Sequence, residues 1–580
     1  NTPTNVEEAT TIDVVVARLG ASAAKTRQIW LPPLPDSLGL EQILGRIQAT
    51  SHYGLRAERD GYLRVRLGLQ DKPIEQWQGP LILDLSGPGG NIGIVGSPQT
   101  GKTTTLRTLV VSIALTHSPA EVNMYIIDMS GSSLRYLEQL PHVGAVTSHL
   151  QEEKLTRLVA EMRRLLEERE RIFSSYHLDG IEQMRRMHRE GQLPDIVAAD
   201  VLLLVDGWAS FRKDFDQLAD IVQDLAFRGL GFGIHVVLSS GRWADFRLPL
   251  QGVLGTKLEL SLNDPFDSFI GRKTMEAMKG APAGRMLTPD RLCTQVCMPT
   301  VRQANAVSGE TPEAIVTAIA SEWRGVQAPA IRLLPDKVLY QDLRTEFAHV
   351  DAPMIGLNEI DLGPACLNID KEHRHLMVIG DGQTGKTSTL HVLIHEIAAT
   401  STPEEAMVCV FDLRRSLLGA VPDDYLGEYA GTVEKAKVMV QALCHQLTKR
   451  IPPTTVTIEQ LRTRSWWSGP EIYVVVDDFD MLEGEANPLR PLIPFIAQAS
   501  DLGLHMIVAR RSAGVGRAAY ESVFRALKDA GAAGVLCSGD RQEGQIWPGV
   551  TMQKLPQGRA LWVDRTGRKS MVQLAYFNDE

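Results

Sequence analysis

The stretch "GNIGIVGSPQTGKTTTLRTL", from Gly90 to Leu109, has a counterpart in "RHLMVIGDGQTGKTSTLHVL", from Arg374 to Leu393. Lys102 answers to Lys386. Asp128 in "MYIIDMSGSSLRYL" and Asp412 in "VCVFDLRRSLLGAV" keep the same separation as the two lysines. "GFGIHVVLSS" and "DLGLHMIVAR" set His235 against His505, and "APAGRML" and "LPQGRAL" set Gly284-Arg285 against Gly558-Arg559. The lead-ins "IWLPPLP" and "IRLLP" also agree. Landmarks recurring in one order mean two copies of one domain rather than a single large fold. The first copy is expected over 50–325 and the second over 340–580. Residues 1–49 read as an N-terminal segment and linker. The junction 326–339, within "GVQAPAIRLLPDK", is short, Pro-containing and without helical periodicity.

Each copy alternates short β-branched runs with helical stretches. "VNMYIID", "VLLLVD" and "IHVVLSS" read as buried parallel strands, and Glu152 to Phe173 reads as an amphipathic helix. The fold class that follows is α/β, with mostly parallel central sheets.

Both copies carry G-x-x-x-x-G-K-[ST] between an apolar strand and a helix. The candidate phosphate-binding residues are Gly96, Ser97, Pro98, Gln99, Thr100, Gly101, Lys102, Thr103 and Thr104, and then Gly380, Asp381, Gly382, Gln383, Thr384, Gly385, Lys386, Thr387 and Ser388. Glycines let backbone N–H groups curl round phosphate oxygens, the lysine reaches the β- and γ-phosphates, and the threonine hydroxyl holds magnesium. ATP and Mg2+ are the expected ligands, with Thr103, Asp206, Thr387 and Asp477 expected at the metal.

The acidic strands are unusual. "VLLLVD" ends at Asp206 and is followed by Gly207; "IYVVVDDFDML" gives Asp477 and then Asp478. A general base has to reach the proton it removes. Glycine cannot, and aspartate is one methylene shorter than the glutamate usual there. Losing such a base costs about 10²–10⁴ in rate. Both sites are expected to hold ATP and turn it over slowly.

Net charge is -10 and the pI is near 5.8. That argues against a protein whose whole surface grips nucleic acid. The six cysteines are scattered, and Cys293 and Cys297 lack the partners of a zinc site. No apolar run reaches the roughly 18 residues of a membrane helix, and no signal peptide opens the chain. The first residue is Asn1 rather than Met, so either the start is processed or the chain is a piece of a longer protein.

The paired cores, "WLPPLP", "SGPGGNIGIVGSPQTGKT", "YLEQLPHVGAV", "LVDGW" and "LRTRSWWSG" resemble the EccC family, the FtsK/SpoIIIE-type ATPases of the type VII (ESX) secretion system. The resemblance covers nearly the whole chain and matches the last two of that family's three ATPase domains. It implies tandem RecA-like domains, hexameric rings, a membrane-anchored EccC half or other ESX core components as partners, and a cytoplasmic protein that is membrane-associated through them. It implies export of Esx helical-hairpin substrates through a C-terminal signal read by the last domain, with no nucleic acid. The family's arginine finger falls on Arg163 or Arg164 in "EMRRLL", and on Cys444-His445 in the second copy. Its polar sensor falls on Ser240 and Gly241, and on Arg510 and Arg511. The prolines of "IWLPPLP" stiffen an extended segment, and Trp30 and its leucines are expected to dock in an apolar pocket on an ATPase domain, the equivalent pocket of the last domain taking the substrate signal. Trp466 and Trp467 read as packing a loop onto the second domain. An FtsK-like DNA translocase and a non-hydrolysing ATP-dependent adaptor stay open as alternatives.

Overall fold

The computed structural model describes residues 10–22, 30–50, 54–302, 308–367, 374–484 and 486–578. The chain divides into two compact units, Asn1–Ile331 and Arg332–Glu580.

In the first unit, a ten-stranded sheet is parallel over six neighbouring strands. Their spatial order is Thr256–Leu260, Ile92–Val95, Ile234–Ser240, Asp200–Asp206, Val122–Asp128 and Val143–Ser148. The strand that feeds the phosphate loop and the strand that ends at Asp206 are therefore separated by Ile234–Ser240. Every residue of Asp200–Asp206 is buried. Leu202 and Leu204 face the helix Lys102–Thr116 through Leu106, Leu109 and Ile113. Val201, Leu203 and Val205 face the helices Glu152–Ser175 and Asp216–Arg228. A strand covered on both faces is apolar throughout, which explains the unbroken run in the sequence.

Four strands extend the sheet beyond Thr256–Leu260 as an antiparallel flank: Arg285–Leu287, Cys293–Val296, Arg64–Lys72 and Trp77–Asp84. Residues 38–47, ahead of the expected start of the first domain, also enter this unit. Leu38, Leu40, Ile43, Leu44 and Ile47 are buried with Val65 and Val296.

The second unit repeats these ten strands in the same order and adds an eleventh, Val338–Leu339, parallel to Lys569–Tyr576. Its parallel order is Ala533–Leu536, His375–Gly380, Leu504–Arg511, Glu471–Val476, Ala406–Phe411 and Leu426–Ala430. Its antiparallel flank is Arg559–Val563, Lys569–Tyr576, Met354–Asn358 and Pro364–Cys366. The helix Lys386–Thr400 covers one face, and Val433–Thr448 covers the other. Among the described residues, no helix is long and apolar enough to cross a membrane.

The lead-in segments are held by the arginines that the repeat matched. Arg285 donates to Leu34 O and Pro35 O at 3.1 and 3.2 Å, and Arg559 donates to Leu334 O at 3.3 Å. In the first lead-in Leu34 is the buried side chain, while Trp30 stays 75% exposed. Of the apolar side chains expected to dock, Leu34 does so, whereas Trp30 lies in solvent and does not. Trp466 donates to Arg450 O at 2.7 Å and Trp467 to Asp501 O at 2.8 Å, so both pin their loop to its own domain.

Candidate nucleotide sites

Each phosphate loop lies at the carboxyl end of its strand, where open α/β sheets place their ligands. Gln99 and Gln383 take φ of 63° and 58°, and Gly101 and Gly385 take 108° and 103°. Left-handed residues at these points turn successive N–H groups inward as an anion nest. A Cβ on Gly101 would come within 2.9 Å of Gly284 N, so the position requires glycine. Helices of fifteen residues begin at Lys102 and Lys386. Their first N–H groups have no intrahelical partner and face the loop. Thr104 and Ser388 follow in the first turn.

The lysines are folded back onto loop carbonyls. Lys102 Nζ donates to Gly96 O and Ser97 O at 2.7 and 2.8 Å, and Lys386 Nζ to Asp381 O at 2.7 Å. Burial pulls the Lys102 ammonium below its usual range, opposed by Asp206. An ammonium held over the loop by carbonyls alone suits a polyphosphate. The second loop frames a cleft of about 480 Å³ lined by Gln383 to Ser388 and Gln557.

Thr103 Oγ1 donates to Asp206 Oδ2 at 2.6 Å, and Thr387 Oγ1 to Asp477 Oδ2 at 2.9 Å. These are the four residues expected at the metal, brought together as pairs across the sheet. Burial raises the Asp206 carboxyl, with Asp128 adding to it, while hydrogen bonds from Ser239 and Thr103 oppose the rise. A hydroxyl and a carboxylate in contact at a loop of N–H donors fit Mg2+ bound with a nucleotide. When bound, the ion would neutralise phosphate charge; Thr103 and Asp206, or Thr387 and Asp477, would hold it or its water shell.

The residue after each aspartate is left-handed in both copies. Gly207 has φ 97° and Asp478 has φ 47°. A Cβ at Gly207 would stand 3.1 Å from Met129 Cβ. Asp478 Oδ2 forms an ion pair with Arg414 Nε at 2.7 Å, while that N–H is directed at Met481 Sδ, so the carboxylate is already engaged. Burial raises the Asp478 carboxyl and neighbouring Asp477 adds to the rise, against Arg414.

Several contacts were not visible in the sequence. Ser239 Oγ donates to Asp206 Oδ1 at 2.5 Å and accepts Gly207 N–H at 2.9 Å. The residue of the adjacent strand that touches the acidic strand end is thus Ser239; Ser240 turns to Asp245 at 2.7 Å. Sheet register gives Ala509 as its counterpart, since Asp206 pairs with Ser239 while Val476 pairs with Val508. In the second copy Ser416 Oγ lies 2.8 Å from Asp477 and 3.2 Å from Asp412. Asp128 and Asp412 shape the loops beyond their strands: Asp128 accepts Ser130 and Leu134 N–H, and Asp412 accepts Arg414 and Leu417 N–H. Asp381 is tied to Ser512 and, at 2.8 Å, to Lys554.

Arg164 is not brought to the phosphate loop of its own domain. It is exposed and pairs with Glu161 at 2.8 Å and Glu168 at 3.5 Å on its own helix. Arg163, Cys444 and His445 are not brought to a phosphate loop of their own domain either. Cys444 Sγ instead faces Pro491 O at 3.5 Å.

The FtsK/SpoIIIE family model matches residues 68–288 and 358–468. The ESX secretion system protein EccC of Thermomonospora curvata is 38% identical over 571 residues, covering 97% of this chain and 43% of that protein. The ESX-1 secretion system protein EccCb1 of Mycobacterium tuberculosis is 36% identical over 586 residues, covering 97% of this chain and 96% of the relative. The chain belongs to the EccC family. It spans less than half the length of the T. curvata EccC and nearly all of EccCb1. The solved structure of T. curvata EccC ATPases 2 and 3, in complex with a signal sequence peptide, superposes with a TM-score of 0.78. It is 38% identical, over 95% of this chain and 100% of that one. The expected α/β phosphate-loop fold and the expected EccC resemblance are therefore both met.

Proposed function

We propose that the chain is the paired ATP-binding part of an ESX (type VII) protein secretion motor, holding MgATP at both loops and hydrolysing it slowly. The observation that carries this is the pairing of Thr103 with Asp206 and Thr387 with Asp477, next to positions unsuited to activating water. Gly207 has no side chain there, and Asp478 is engaged by Arg414. Binding needs the loop, the lysine and the metal pair, whereas fast turnover also needs a base within reach of water. Arg164 is assigned as a finger offered to a neighbouring subunit's γ-phosphate, since its exposure suits a contact outside its own domain. The signal-peptide complex of the T. curvata relative supports reading the second unit as the receiver of a C-terminal signal from Esx helical-hairpin substrates. The partners on this reading are a membrane-anchored EccC half or other ESX core components, with ring assembly, on the cytoplasmic side of the membrane.

The test measures nucleotide binding beside ATP turnover for the chain, Lys102→Ala and Lys386→Ala, with and without an Esx signal peptide. Lysine-dependent binding with turnover near background supports the reading. Brisk turnover lost in either variant would overturn slow hydrolysis. Turnover stimulated by DNA rather than by the peptide would favour a DNA translocase.

A further inference from the structure

At the amino ends of the parallel strands, opposite the phosphate loops, the two units treat the same carboxylates differently. In the first unit Glu121 Oε2 accepts Ser118 N–H at 2.8 Å, capping the turn before its strand. Its other oxygen takes Arg59 at 2.6 Å, and Arg56 lies 3.9 Å away. Nearby, the buried Asp200 accepts Tyr62 Oη–H at 2.6 Å, Arg185 at 2.7 Å and His235 at 2.8 Å. Arg185 also lies over the Tyr62 ring, 5.2 Å from its centre. Residues 56–62 thus plug this end of the sheet with two arginines and a tyrosine.

The second unit keeps the carboxylates and, among the described residues, lacks the plug. Glu405 Oε2 accepts Thr402 N–H at 2.9 Å, the same cap as Glu121. Glu471 takes the place of Asp200, accepting His505 at 2.5 Å and Arg464 at 2.6 Å. The residues ahead of the equivalent flank strand Met354–Asn358, "EFAHVDAP", contain no arginine, lysine or tyrosine. A cleft of about 530 Å³ lies there instead, lined among others by Asp351, Glu404, Glu405, Trp467 and Tyr473. Among the described residues, Arg464 is the one basic residue lining it, and it is paired with Glu471. Among the described residues, no cation pairs with Asp351, Glu404 or Glu405.

We infer that this cleft is a docking site for a segment of another polypeptide that carries arginine a few residues from tyrosine, the chemistry the first unit supplies to itself. Guanidinium groups match uncompensated carboxylates, and a phenol fills space beside Trp467 and Tyr473. Charge complementarity decides the occupant: an acidic or purely apolar segment would leave three carboxylates facing it without a cationic partner. Such a docked segment would lie at the far end of the sheet from the nucleotide.

The test uses the full chain and a fluorescein-labelled peptide with the sequence LRAERDGYL, that of Leu55–Leu63. Anisotropy titrations at low and high salt compare the chain with the triple variant Asp351→Asn, Glu404→Gln, Glu405→Gln. Glutamine at 405 keeps an acceptor for Thr402, and matching thermal melts verify folding. The expected result is saturable binding that weakens at least about tenfold in the triple variant and in peptides with both arginines changed to glutamine. It should also weaken as salt rises. Three results would each overturn the inference: no saturable binding up to about 1 mM peptide, binding unchanged in the triple variant, or displacement by spermidine as effective as by unlabelled peptide.

Discussion

Arg414 Nε stands 2.7 Å from Asp478 Oδ2 as an ion pair, directly after the strand-end Asp477 of the second candidate site. Arg414 opposes the rise that burial and Asp477 impose on the Asp478 carboxyl, and its charge holds that carboxylate in the pair. Arg414→Gln, in a Lys102→Ala background that isolates the second site, should raise steady-state ATP turnover by up to about tenfold, a fraction of the 10²–10⁴ that a well-placed base supplies. An unchanged rate would mean that the short reach of Asp478, rather than its partner, sets the limit.

The two degenerate positions should respond differently to repair. Gly207 sits at φ 97° with Met129 Cβ 3.1 Å from any new Cβ, whereas Asp478 already carries a side chain at φ 47°. Gly207→Glu should destabilise the first unit by about 1–2 kcal/mol and gain no turnover. Asp478→Glu combined with Arg414→Gln should gain turnover without a comparable loss in the thermal midpoint. Differential scanning calorimetry beside a coupled ATPase assay separates these outcomes.

Ser239 links Asp206 Oδ1 to the N–H of Gly207. Ser239→Ala leaves that N–H without its acceptor and frees the carboxylate to turn. A lost hydrogen bond of this kind costs about 1–3 kcal/mol. Magnesium-dependent nucleotide affinity at the first site, titrated in a Lys386→Ala background, should fall by about tenfold. Ala509→Ser, the matching change in the second copy, gives Asp477 an additional donor and should not weaken binding there.

Burial pulls the Glu471 carboxyl up, but His505 and Arg464 overcome it and hold it down at about 2. The stabilisation from a depressed carboxyl is fully present above its unfolded value, about 4.5, and is lost as pH falls toward 2. Glu471→Gln should therefore flatten the acid limb of the second unit's stability between about pH 4.5 and 2, while lowering stability at pH 7. Acid unfolding followed by tryptophan fluorescence reads both effects.

What the sequence made legible was whatever depends on local spacing. The doubled loop and the strand-end aspartates could be read directly, because a strand buried on both faces is apolar to its last residue and the phosphate loop demands fixed glycines. Ser239 was missed by one residue, since only sheet register decides which of two adjacent serines points at Asp206. Arg414 and Ser416 come from a loop whose course is set by Asp412, and no local pattern reveals that course. The apolar side chains of "IWLPPLP" are visible in the sequence, yet the segment is held at the Leu34 carbonyl, an atom every residue has.

Arg285 grips the lead-in at Leu34 and Pro35, and Gly284, directly before it, donates its N–H to Thr100 O of the phosphate loop at 2.8 Å. A pull on the lead-in therefore has a path of one hydrogen bond, one peptide unit and another hydrogen bond to the loop that cradles phosphate. Mechanical load on that tether would be felt as a change in nucleotide residence time. The first domain would in this sense act as a strain gauge, with its reading taken at Thr100.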